Sequence, residues 1–209
     1  MSIWRSLFVE TVSGEQVASE NQKELPTMGT IRVHEFTTLD GVIDAPAWTS
    51  DFGFDPAMGQ DIGNLMSSCN AILLGRRTYE MFEPAWSTRT AEQDPGAPFM
   101  NESTKYVVSS TLTEGTWQNS KLVGPYSADT IRQVKAEVEA GIYVSGSSTL
   151  VKALIADGLI DELHLFVYPI TRGDGPRLFA DGTSTRWSLS NCATYDNGVL
   201  YVVYQAATS

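Results

Sequence analysis

Cysteine is scarce: the 209 residues include two, Cys69 and Cys192. Two cannot build a disulfide framework, and both read as reduced thiols in the core of a cytoplasmic protein. Histidine is equally sparse, with only His34 and His164. No Cys or His cluster has zinc-ligand spacing, so no metal is expected. No apolar run is long enough to cross a bilayer. Positive charge is also in short supply, with 14 Lys and Arg against 25 Asp and Glu and a formal net charge of -11. Such a surface lacks the basic field that nucleic acid or an anionic membrane requires. It still admits an anionic small molecule, because helix N-termini and one or two arginines make a local positive site. Two phosphate-binding signatures are missing as well. No Gly-Lys-Ser/Thr follows a glycine-rich loop, and no run of three spaced glycines opens a helix.

What is present is a core: 42% hydrophobic and 10% aromatic residues, ordinary for a chain that buries one large domain. Residues 1 to 29 read as a flexible extension dispensable for the chemistry, and 30 to 209 as the domain. The apolar patch near the start is short and interrupted, with only Arg5 before it, a poor signal peptide. From Ser13 to Thr27 the chain is polar and aperiodic, as in a linker, and Met28 is a candidate start of translation.

The β-rich run Ile31 to Thr38 reads as a strand, followed by an Asp40-Gly41 turn. Asp55 caps a helix with Pro56 at its first position, and Met58, Ile62, Leu65, Met66 and Cys69 share one face. "NAILLG" is a buried strand, and "RTYEMFEPAW" a short helix broken at Pro84. Ser87 to Glu102 reads as an exposed loop. "KYVVSS" and "SKLVG" are strands, and Ser127 caps a helix carrying Ile131, Val134 and Val138 on one side. "GIYVSG" is a strand, followed by a helix with the stripe Leu150, Val151, Leu154 and Ile155, closed by Gly158. "ELHLFVYPI", "RWSLSNCATY" and "VLYVVYQ" complete the strands, with Asn197-Gly198 marking a hairpin. Strand–helix units followed by strands alone imply an α/β fold, a mostly parallel sheet between helices with an antiparallel C-terminal edge.

Three strand ends carry candidate chemistry. "GRRT" ends a strand at Gly75 and opens a helix at Arg76, Arg77 and Thr78, where free backbone N–H groups and guanidinium groups suit a phosphate. The arginines equally fit a solvated pair balancing Glu80 and Glu83. "SGSST" places Gly146 where backbone can approach a ligand, with Ser147, Ser148 and Thr149 free to bond phosphate oxygens or simply to cap a helix. Ser109 and Ser110 end a third strand. If these strands run parallel, all three lie on the edge where open α/β sheets bind ligands. Asp40, Asp51, Asp55 and Asp61 are candidate acids, with Asp55 also explained as a cap. Trp48, Phe52 and Phe54 fit a wall for an aromatic substrate or the packing of a loop.

The segments "TTLDGVI", "AILLGRRTYEMF", "YVVSSTL" and "IYVSGSSTLVKALIADGLIDELHLFVYPITRGDGPRLF", with the closing hairpin, occur in an order that resembles the dihydrofolate reductase-like family over Ile31 to Gln205. "GSSTL", "GLIDEL" and "GDGPRLF" together are similar to stand-alone bacterial proteins related to the reductase domain of riboflavin-pathway deaminase–reductases. The resemblance implies a three-layer αβα domain, NADPH as cofactor, a small-molecule substrate and a homodimer. It implies that Arg76 and Thr78 hold phosphates beside Gly75 and Arg77, with Ser109 and Ser110 at the adenosine end. Gly146, Ser147, Ser148 and Thr149 match the turn supporting pyrophosphate and nicotinamide ribose. Leu39, Val42 and Ile43 match a mobile loop over the nicotinamide. Thr38, Asp40, Trp48, Phe54 and Ser145 fall on the substrate side, and Asp55 and Asp40 are the candidate catalytic residues. Three features differ from the relatives. Ser145 stands where riboflavin-pathway reductases carry a glutamate, no zinc deaminase signatures occur, and "WTSDFGFDPAM" replaces the Trp-x-x-Pro-x-Asp/Glu pattern of folate reductases. The implied reaction is hydride transfer to a C=N or C=O group of a pterin- or pyrimidine-like molecule. Alternatives are a riboflavin-pathway aminouracil reductase or a dihydrofolate reductase, and, of another class, a nucleotide- or pterin-binding module without turnover.

Overall fold

The computed structural model describes residues 28–43 and 46–207, so the expected extension, up to residue 27, lies outside the described residues. The strands are β1 (Thr30–Thr38), β2 (Cys69–Gly75), β3 (Thr104–Val108), β4 (Ser120–Gly124), β5 (Gly141–Ser145), β6 (Glu162–Tyr168), β7 (Trp187–Thr194) and β8 (Leu200–Ala206). The helices are α1 (Pro56–Ser67), α2 (Arg76–Trp86), α3 (Ala97–Glu102), α4 (Ala128–Glu137) and α5 (Ser148–Ala156), with a 3-10 helix at Pro46–Phe52. All eight strands form one sheet in the order β4-β3-β2-β5-β1-β6-β8-β7. Pairings from β4 to β6 are parallel, and β8 pairs antiparallel with β6 and β7.

Helices cover both faces, which is why the central strands are apolar on consecutive residues rather than on alternate ones. Leu150, Val151 and Leu154 of α5 and Ile131 and Val134 of α4 pack on Ile31, Val33, Leu73, Val144 and Leu163. On the opposite face, Leu65 and Met66 of α1, Tyr79 of α2 and Met100 of α3 meet Ile72, Leu74 and Tyr143. Met58 extends this layer to Phe166, Tyr168, Tyr201 and Val203. Each such side chain, fully removed from water, contributes on the order of 1.5–3 kcal/mol.

Four local expectations need correction. Pro84 lies inside α2 without breaking it. It falls in the last turn, where the missing N–H removes one bond and the helix ends two residues later. The expected loop before β3 contains α3, with Pro98 near its first position, where proline is tolerated. This helix is held by Lys105, which is fully buried. Its ammonium donates to the carbonyls of Met100, Asn101 and Ser103 at 2.9, 3.0 and 2.9 Å. A cation thus closes the carboxyl end of α3. Cys69 opens β2 instead of ending the face of α1, and Cys192 is exposed on edge strand β7 rather than in the core. At the hairpin, Gly198 with φ +83 donates its N–H to the Tyr195 carbonyl. β7 and β8 pair antiparallel across it, so the hairpin marked by Asn197-Gly198 is present.

Candidate functional site

Because β1 to β6 run parallel, Thr38, Gly75, Ser109, Gly124, Ser145 and Tyr168 gather on one margin of the sheet. The chain leaves β2 towards β3 on one side and leaves β5 across β1 towards β6 on the other. That divergence opens a crevice outside the ends of β2 and β5, the place where such sheets receive ligands. "GRRT" and "SGSST" border it together. A Cβ on Gly75 would fall inside the contact radius of Ser147 Oγ and 3.1 Å from Ser147 Cβ. A Cβ on Gly146 would lie 3.5 Å from Thr78 Oγ1.

Helix capping differs between the long helices that start in this crevice and those that start outside it. Asp55 caps α1, accepting from the N–H groups of Ala57 and Met58, and Ser127 caps α4 through the Thr130 N–H. The helices that start in the crevice have no side-chain cap: α2 begins at Gly75 and α5 at Ser147. Ser147 adopts a left-handed conformation, φ 68° and ψ 75°, directly after Gly146 at φ +72. Its hydroxyl turns towards Gly75, so the capping role open to it in sequence terms is not taken. Two helix N-termini therefore present unpaired N–H groups to one crevice. Thr78 is buried beneath it, while Arg76 and Arg77 stand exposed at its lip. Arg76 pairs with Glu80 at 3.3 Å, an exposed contact worth a few tenths of a kcal/mol and easily exchanged for a phosphate. Among the described residues Arg77 has no ion-pair partner. Ser148 and Thr149 open the first turn of α5.

Ser109 sits on the margin, but its hydroxyl accepts from the N–H groups of Thr111 and Leu112 at 3.1 and 2.9 Å, closing its own turn; Ser110 beside it is exposed. The loop after β1 is pinned. Asp40 accepts from the Thr38 hydroxyl at 2.6 Å and from the backbone of Arg172 and Gly173. Those donors, the Thr38 hydroxyl first, hold its carboxyl down at about 2. Val42 and Ile43 are buried below, and Leu39 is exposed above. Asp55 uses its second oxygen on the Asp196 N–H at 3.1 Å, and Asp61 accepts from the Tyr195 hydroxyl at 2.6 Å. The candidate catalytic acids Asp40 and Asp55 thus hold backbone in place, and Asp51 is exposed. Of the aromatic wall, Trp48 is buried, Phe52 packs edge-on against Tyr168, and Phe54 is exposed.

Two residues that the sequence pattern did not single out complete the margin. Among the described residues, the buried side-chain polar atoms with no hydrogen-bond partner are His34 Nε2 and Glu35 Oε1. They are consecutive on β1. His34 lies opposite Ser145 in the β1–β5 register, which sets Glu35 beside Gly146. His34 faces α1: its Nδ1 lies 2.6 Å from the Tyr143 hydroxyl and its ring meets Phe36 and Phe166 edge-on. Burial, aided by nearby His164, lowers its pKa to about 3, so the ring is neutral. His164 differs in having both nitrogens engaged, with Tyr201 at 2.7 Å and Glu162 at 3.0 Å. Glu35 lies on the α5 face beside Leu165. Burial pushes its pKa up to about 8, opposed by the Gly146 N–H. A signal for both existed in the sequence: His-Glu inside a strand that has no solvent face. Orphaned polar atoms are rare in native interiors and call for a partner.

The sequence matches the model of the RibD C-terminal domain family over residues 29–201. An uncharacterised protein of Bacillus subtilis, YyaP, is 27% identical over 176 residues, 80% of this chain and 89% of its own length. A putative riboflavin biosynthesis protein from Shewanella sp. PV-4 has a TM-score of 0.69 at 20% identity, covering 86% of this chain and 99% of that one. Dihydrofolate reductase from Enterococcus faecalis, complexed with NADP(H), has a TM-score of 0.58 at 16% identity, over 88% of this chain and 100% of that one. At these identities the structural likeness establishes the three-layer dihydrofolate reductase-like fold and nothing further. With the family model matching most of its length, the chain belongs to the RibD C-terminal domain family.

Proposed function

We propose that the protein is an NADPH-dependent reductase acting on a C=N or C=O group of a pterin- or pyrimidine-like molecule. The observation that carries this reading is the meeting of the two uncapped helix N-termini, α2 and α5, across Gly75 and Ser147. The first-turn N–H groups would take the pyrophosphate, and Arg76 and Arg77 would pair with a ribose phosphate that NADH lacks. NADPH when bound supplies the hydride, and the protein supplies position and a dry pocket. Support for the reductase class comes from family membership and from the NADP(H) complex of a protein with the same fold.

On the substrate side, the groups nearest the end of β5 are Ser145, the neutral His34 and the Tyr143 hydroxyl. An uncharged lining of this kind suits the amide edge of a pyrimidine better than a protonated ring, which would want a free carboxylate. Exposed edge strand β7, with Leu189 uncovered, supports assembly as a homodimer. Calorimetric titration with NADPH and NADH tests the cofactor assignment. NADPH should bind at least about tenfold more tightly, and Arg76→Ala with Arg77→Ala should close that gap, each charge-assisted hydrogen bond removed weakening NADPH binding by about 1–3 kcal/mol. Equal affinity for both dinucleotides in the unaltered protein would refute the assignment. Cofactor binding without substrate-dependent loss of nicotinamide absorbance, across a panel of pterins and pyrimidines, would favour a binding module without turnover.

A further inference from the structure

We propose that Glu35 forms part of the floor of the dinucleotide cradle, its carboxyl donating a hydrogen bond to an acceptor oxygen of the bound pyridine dinucleotide. The inference rests on the reading of the crevice given above and adds to it a residue and a proton.

Three observations locate the group. Glu35 is buried, and its Oε1 has no partner among the described residues. The β1–β5 register sets it beside Gly146, whose N–H acts on the carboxyl. Gly146 and Ser147 form the left-handed turn that leaves α5 uncapped on the crevice. A lone unsatisfied carboxyl oxygen costs about 1–3 kcal/mol in a folded interior. A chain that keeps one beneath a helix N-terminus has a ligand position in which that cost is recovered.

The surroundings decide which form of the acid is present. From α5 come Leu150, Val151 and Leu154, and from β6 Leu165, all apolar. Lys152 of α5 lines a separate hollow with Ile155, Ala156 and Thr183. On β5 the titratable neighbour is the Tyr143 phenol, which burial keeps protonated and uncharged. On β1 itself, His34 belongs to the other face and is neutral. Asp40 and Arg177 of the neighbouring loops are engaged with each other and with the backbone of Gly173. Arg76 lies at the lip in its pair with Glu80, and Arg77 beside it is exposed. Among the described residues no cation compensates the carboxylate, and burial makes Glu35 a neutral acid at neutral pH, with a pKa of about 8. A neutral acid is also the only form compatible with phosphates nearby: it offers a donor, where the carboxylate would offer a second negative charge.

The test is calorimetry of NADPH binding from about pH 7, above the range where a ribose phosphate itself takes up a proton, to about pH 9.5. Titrations in buffers of different ionisation enthalpy count the protons taken up. Affinity should be level up to about pH 8 and then fall about tenfold per pH unit, with about one proton taken up per dinucleotide near pH 9. Glu35→Gln, which keeps a donor but cannot ionise, should bind with level affinity and no uptake. If the variant does not fold, the unaltered protein still decides, since zero uptake near pH 9 overturns the proposal. The same fall of affinity with pH in Glu35→Gln as in the unaltered protein overturns it alone, leaving the cradle intact. Absence of any binding heat at every pH overturns the cradle together with it.

Discussion

Alanine at Gly75 tests the crevice by adding one methyl group to it. Gly75 has φ -78° and ψ 157°, extended backbone that any residue adopts, so the substitution brings no conformational strain. Its cost is steric. The new Cβ would overlap Ser147 Oγ and lie 3.1 Å from Ser147 Cβ and 3.7 Å from Leu150 Cβ. Overpacking of this kind costs about 1–3 kcal/mol, a fall in Tm of roughly 2–10 °C for a domain of this size. If the clash with Ser147 is the cause, removing Ser147 should remove the cost. Ser147→Gly is suited to this, because φ 68° at that position favours glycine in any case. The assay is a double-mutant cycle by urea denaturation. Gly75→Ala should destabilise the native chain but leave Ser147→Gly almost unaffected, with a coupling energy near the whole single-mutant cost. NADPH affinity, measured in parallel, should fall in Gly75→Ala and recover only in part in the double variant, since the methyl group still occupies the crevice. Strictly additive costs, within about 0.5 kcal/mol, would refute the close approach of the two segments on which the site is built.

The buried acid and the buried base each give a further expectation. Glu35 has a folded pKa of about 8 against 4.5 when unburied. The native state therefore holds a proton that the unfolded chain has released, and stability falls as pH rises from about 4.5, levelling above about 8. The loss at pH 7 is at most about 3 kcal/mol. Tm against pH should be flatter in Glu35→Gln, and parallel curves would exclude the effect. Lys105→Met keeps the stem and removes three hydrogen bonds to carbonyls at the end of α3. It should cost about 2–4 kcal/mol and raise hydrogen exchange in α3 ahead of the sheet; a Tm change below about 2 °C would show that the carbonyls find other partners.

The same residues show how far local patterns reach. Cap residues followed by an apolar stripe, as at Asp55 and Ser127, announce their helices because the capping bond is made within three residues. Lys105 and α3 do not, because the bonds that hold that helix come from outside it. Ser147 reads as a cap from sequence, yet its side chain makes no cap bond and its hydroxyl lies against Gly75, a residue distant in the chain. Asp40 reads as an acid free to act, yet backbone groups of Arg172 and Gly173 claim it.

The sequence by itself determined the order of strands and helices apart from α3, the parallel sheet with its antiparallel edge, and the segments "GRRT" and "SGSST" as strand-to-helix junctions. All of these depend on periodicity and capping over a few residues, which local free energies dictate. Only the tertiary structure decided that β5 inserts between β2 and β1, so that two helix N-termini share one crevice. It alone decided that His34 and Glu35 are buried in β1 with unsatisfied atoms. The physical reason is that burial and hydrogen-bond satisfaction belong to the assembled sheet. A titratable side chain acquires its charge state from groups that chain folding, not chain order, brings within reach.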